Sequence, residues 1–71
     1  MNESFRALYA QYTHCIDVQK DVIARYRARL LRAQQSFNMA EVQRLNALLR
    51  ILYEEKSELE ERAVGLKEYL Q

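Results

Sequence analysis

Between Glu3 and Val64 the chain contains neither a proline nor a glycine. Proline interrupts a helix by removing an amide donor and clashing with the preceding turn, glycine by the entropy it loses on ordering. A stretch this long without either has no local reason to leave the helical state. One glycine and one cysteine in 71 residues also exclude a glycine-rich phosphate loop, a multi-cysteine zinc site and an internal disulfide framework. At this length the chain forms one domain at most.

Apolar residues recur at the alternating three- and four-residue spacing that lines one side of a packed helix. In the first half the seam reads Phe5, Tyr9, Tyr12, Ile16, Gln19, Ile23, Tyr26, Leu30, Ala33, Phe37, widened on one side by Leu8, Cys15 and Val22. In the second half it reads Val42, Leu45, Leu49, Leu52, Lys56, Leu59, Ala63, Leu66, Leu70, with Leu48, Ile51 and Tyr53 beside it. The two seams do not share a register, because the step from Phe37 to Val42 is five residues where a continuing repeat needs three or four. A turn belongs there.

The local residues agree. Asn38 can cap a helix whose third residue is Glu41, a capping box, and Phe37 before the cap with Val42 beyond it has the spacing of a hydrophobic staple. These signals predict a single all-α domain over residues 1–71, an antiparallel, coiled-coil-like two-helix hairpin. Its first helix spans about 3–35, its turn about 36–38 and its second helix about 39–70, each helix on the order of 50 Å long. One continuous helix in a parallel coiled coil would have to absorb the phase break as a stutter. Gly65, worth about 1 kcal/mol against helix relative to alanine, leaves open whether the second helix ends near Val64 or reaches Leu70.

Charge is nearly balanced overall at +1, so no bulk attraction to nucleic acid or an anionic membrane is expected. Its distribution is uneven: residues 20–50 sum to +5, residues 1–19 to −1 and residues 51–71 to −3. Folded as a hairpin, the chain has a basic turn end and an acidic open end. No run approaches the length of a membrane span, the first residues lack the pattern of a secretory signal, and a single cysteine fits a reducing compartment. The expected location is the cytoplasm.

The side chains offer little chemistry. His14 and Cys15 are adjacent, about 100° apart on a helix, and cannot chelate one metal from the same face; Cys15 reads as a small hydrophobe of the apolar row. No serine, histidine and carboxylate grouping comes with the loops that hold catalytic residues. A non-enzymatic protein without cofactor, metal or small-molecule substrate is expected. Arg25, Arg29 and Arg32 form one ridge near the turn that Arg44 extends, an arrangement able to track phosphates with Tyr26 and Phe37 as stacking groups; the plainer expectation is a solvated flank pairing with acidic residues of another chain. Leu45, Leu52, Leu59 and Leu66 recur every seven residues like a leucine zipper, but the basic segment lies across the turn and is itself amphipathic, so these leucines read as core. Gln19 and Lys56, polar on apolar seams and in about the same layer of a hairpin, would specify register.

Two helices sharing one seam leave the rows beside it wet, and so short a chain has little stability to spare. Self-association of two hairpins into a four-helix bundle is the simplest remedy. The expected interface residues are Tyr9, Tyr12, Ile16, Ile23, Tyr26 and Leu30 of the first helix and Leu45, Leu48, Leu49, Leu52, Tyr53, Leu59 and Leu66 of the second. In general plan the chain is similar to the small Rop-type hairpins that dimerise into four-helix bundles and to the two-helix co-chaperones of secretion systems that cover a partner's helix; no functional residue carries over from either. The function expected is a self-associating protein-interaction module, adaptor or regulator. The alternatives are an RNA binder using Arg25, Arg29, Arg32 and Arg44, or a hairpin completed by another protein's helix.

Overall fold

In a computed structural model, which describes residues 2–70, the chain is two helices, α1 (Asn2–Gln35) and α2 (Met39–Leu70), packed antiparallel along their whole length in a hairpin of 53 × 15 × 13 Å. α2 continues through Gly65 to Leu70, since the phase-keeping Leu66 and Leu70 still rest half-buried against α1.

The reversal is built from backbone bonds. The amide of Phe37 donates to the carbonyl of Gln34 at 3.2 Å and that of Asn38 to the carbonyl of Ala33 at 2.9 Å, the nested pair of a Schellman motif that satisfies the last carbonyls of α1. Ser36 adds its hydroxyl, donating to the carbonyls of Arg32 and Ala33 at 3.0 and 3.2 Å. On the far side Asn38 caps α2: its Oδ1 accepts from the amide of Glu41 at 3.3 Å and its carbonyl from the amide of Val42 at 3.0 Å.

Two details of the predicted turn are corrected. The capping box is only half made: the Asn38 amide is already committed to Ala33, so the Glu41 carboxylate turns to arginines instead. The hydrophobic staple does not form, and Phe37 does not belong to the seam. Phe37 occupies the position that a Schellman motif requires to be left-handed, with φ 56°, a conformation that costs a residue with a Cβ roughly 1–2 kcal/mol, and its ring is 84% exposed.

The core is thin. Ala33, Val42 and Leu45 form its best-buried cluster next to the turn, with Tyr26 and Leu30 packed on it, and Leu45 is 1% exposed. Ile16, Ile23, Leu49 and Ala63 continue the seam toward the open end, where Phe5 and Tyr69 stack with ring centroids 5.3 Å apart. Every leucine of the zipper-like repeat faces α1, with Leu52, Leu59 and Leu66 half-buried. The two polar seam residues are accommodated at the edge. Gln19 donates its amide to the carbonyl of Leu52 at 3.3 Å and to Glu55 at 3.1 Å, and Lys56 lays its stem on the seam while its ammonium reaches Glu60. Among the described residues no buried side-chain nitrogen or oxygen lacks a partner.

Leu45→Ala should therefore remove about 2–5 kcal/mol and Asn38→Ala about 1 kcal/mol, both read from urea unfolding followed by helical circular dichroism. Gly65→Ala, whose new methyl would meet nothing within 4 Å, should raise stability by about 1 kcal/mol in the same measurement.

Candidate functional site

Cross-helix contacts define the two broad faces of the hairpin. On one, Gln19 reaches Glu55 and Arg29 reaches Glu41 at 3.2 Å; on the other, Arg27 donates to the Tyr53 hydroxyl at 3.4 Å. At 100° per residue, Leu8, Cys15, Val18 and Val22 fall on the same flank of α1 as Gln19 and Arg29, while Leu48 and Ile51 share the flank of α2 that carries Glu41 and Glu55. Leu8, Val18, Val22, Leu48 and Ile51 thus share one face, while Tyr53 and, by the same helical phase, the exposed Leu31 and Val64 fall on the other. Within it Val22 and Leu48 are half-buried, while Leu8, Val18 at 47% and Ile51 at 52% are exposed. Cys15 is exposed as well, a correction to its expected place in the core; it sits on the flank of the seam, one step too far round the helix for α2 to cover.

The thirteen expected interface residues divide. Ile16, Ile23, Leu45 and Leu49 are buried between the chain's own helices, and Tyr9, Tyr12, Tyr26, Leu30, Leu52, Leu59 and Leu66 are half-buried along the same seam. Only Leu48, on the flank, and the exposed Tyr53 stand clear of it. A sequence seam cannot say whether it meets its own chain or another; the turn decides that here. Val18, absent from the predicted rows, could have been found as the residue four before Val22 on the same flank.

Part of the basic end is paired within the chain. Glu41 collects two of its arginines, Arg44 through Nε at 3.0 Å and Nη2 at 2.6 Å, and Arg29 through Nη2 at 3.2 Å; the Arg29 guanidinium also lies 5.3 Å from the centre of the Tyr26 ring, within cation–π range. The hydrogen bonds and charge of Arg44, with help from Arg29, hold the Glu41 carboxyl below its ordinary pKa. Arg25 and Arg32, the other two members, make no ion pair among the described residues.

On the opposite face Lys20, Arg27 and Lys56 surround a groove floored by Ile23 and Ala24. Glu60, the partner of Lys56, has its pKa lowered by the hydrogen bond and charge of Lys56 and by the charge of Lys20. At the open end a second groove, of about 400 Å³, runs between Phe5, Leu8 and Tyr12 of α1 and Arg62, Gly65, Leu66 and Tyr69 of α2. The one sequence signal near it was Gly65, an isolated glycine inside a helix, which is among the residues that line it. Among the described residues no three His, Cys, Asp or Glu side chains gather into a metal-holding group and no helix is long and apolar enough to cross a membrane.

Compared with known protein-family models, with curated proteins and with solved structures, the chain matches none.

Because the folded pKa values of Glu41 and Glu60 lie below the ordinary 4.5, the folded state binds fewer protons than the unfolded one just below that pH. Their contribution is complete above about pH 4.5 and is lost as pH falls through the lowered values. Thermal scans between about pH 6 and pH 3 should show Tm declining less steeply in Glu41→Gln/Glu60→Gln than in the parent chain.

Proposed function

We propose that the protein is a non-enzymatic interaction module that works by self-association, two hairpins closing into a four-helix bundle that serves as an adaptor or regulator in the reducing cytoplasm. The observation that carries this reading is the apolar face formed by Leu8, Val18 and Val22 of α1 with Leu48 and Ile51 of α2, outside the seam that holds the hairpin together.

Area supports it. The chain exposes 5668 Å², whereas a compact monomer of its 8.5 kDa would expose about 4,700 Å². The excess, about 1,000 Å², is comparable to the roughly 800 Å² that each partner gives up in a standard interface. A two-helix layer has too little depth to enclose a full core, and a second layer supplies it. Polarity supports it too. With a +5 turn half and an acidic open end, a head-to-tail pair brings opposite charges together, while a parallel pair stacks like on like. A second reading, RNA binding through Arg25, Arg29, Arg32 and Arg44, draws less support, because Glu41 already occupies Arg29 and Arg44.

Light scattering coupled to size exclusion tests the proposal. The expected mass is twice the 8.5 kDa of the chain, with the dimer fraction at a given dilution falling as salt is raised. Val22→Arg and Ile51→Arg, which place charges on the exposed apolar face, should each give monomers that remain helical. A parent chain that stays monomeric at high concentration would refute self-association and redirect the search to a partner helix.

A further inference from the structure

Two positions run against what an isolated hairpin needs. Phe37 holds a left-handed turn position with φ 56° while its ring stands 84% in solvent, where glycine would remove the strain. Gly65 lies inside a helix with nothing within 4 Å of the place its Cβ would take, where alanine would be favoured. One is a protruding aromatic knob at the turn end. The other lines an apolar groove of about 400 Å³ at the open end together with Phe5, Leu8, Tyr12, Leu66 and Tyr69. The turn bonds fix the backbone at Phe37 but do not require an exposed aromatic there, and such departures from local preference are a starting point for a functional hypothesis.

Resting on the self-association proposed above, we infer that Phe37 of each hairpin seats in the Gly65 groove of a second, antiparallel copy, so that two identical knob-in-groove contacts set the register of a head-to-tail dimer. The spacing is consistent with a two-fold axis. Phe37 and Gly65 are 28 residues apart in sequence, about 42 Å along the hairpin, and their midpoint on α2 is Ile51. Since Gln19 of α1 packs against Leu52 and Glu55, Val22 lies level with that midpoint. The axis therefore passes the apolar centre of the candidate face, where Val22 and Ile51 meet their own counterparts, as an isologous contact requires. In the same register Arg44 comes level with Glu58 of the second copy and Arg25 with its Glu54, so the basic turn half lies along the acidic open half. The groove accepts a phenyl ring on chemical grounds also: its walls are aromatic and leucine side chains, and the Arg62 stem and guanidinium offer a cation for the ring face.

The test uses two substitutions that each favour the isolated hairpin. Phe37→Gly relieves the left-handed strain, and Gly65→Leu fills the groove with a better helix former in open space, so loss of association in either cannot be ascribed to a damaged fold. Sedimentation equilibrium should show the dimer dissociation constant rising at least about tenfold in each, while Tm measured at concentrations where the chain is monomeric is unchanged or higher. A spin label on Ser36→Cys in a Cys15→Ser background should report an inter-label distance of about 40 Å across the dimer. If both variants dimerise as tightly as the parent, or the labels lie within about 20 Å, the knob-in-groove register is wrong while self-association stands. If the parent itself never dimerises, both fall together.

Discussion

The reversal at residues 36–38 is the constraint on which the rest of the molecule depends. A chain with helix-favouring sequence on both sides would extend as one rod unless a few residues satisfied two sets of unpaired helix-end groups at once. Ser36, Phe37 and Asn38 do this with a nested pair of backbone bonds and one side-chain cap. Because the Schellman geometry uses up the Asn38 amide, the Glu41 carboxylate is released from the cap and becomes an acceptor for Arg44 and Arg29. A backbone choice in the turn thus decides the electrostatics of the basic end, and with them how many arginines are left for anything else.

From the turn the pairing of every layer follows. Ala33 meets Val42 and Leu45 next to it, Gln19 meets Leu52 and Glu55 halfway along, and Phe5 meets Tyr69 near the open end. Antiparallel register fixed in this way spends the regular seam on the hairpin itself. What remains is the material beside the seam, and it is split between the faces: Leu8, Val18, Val22, Leu48 and Ile51 on one, Leu31 and Val64 beside the groove ringed by Lys20, Arg27 and Lys56 on the other.

The fold was legible because its signals are redundant. Absence of breakers, two seams out of phase and a capping asparagine all pointed to helix, turn, helix. The turn's fine structure was not, for a physical reason. Whether Phe37 reaches Val42 depends on the sign of one φ angle, and the sequence rule that places an apolar residue before a cap takes no account of a preceding helix demanding a left-handed residue at that same position. Cys15 shows a similar limit. Helical phase puts it roughly 60° from the seam centre, where burial depends on how closely α2 approaches: Ala33 near the turn lies at the same phase and is buried, while Cys15 is left exposed. The candidate face was legible as rows of residues, yet its separation from the seam needed the hairpin to exist first.

A single layer of two helices is an incomplete solution to burial, since each helix has one neighbour and most of its circumference in water. The chain's excess area and its wet aliphatic face express this in two independent ways. Symmetry narrows how the deficit can be met. A second copy laid parallel would place five net positive charges beside five at the turn end; laid antiparallel, each half of the hairpin faces its electrical complement, and every contact made once is made twice. An exposed aromatic at one end and an unfilled groove at the other suit the antiparallel arrangement only, because in the parallel one knob meets knob and groove meets groove. In the proposed dimer the local costs at Phe37 and Gly65 would be the source of a register that charge alone, being long-ranged and screened by salt, cannot specify.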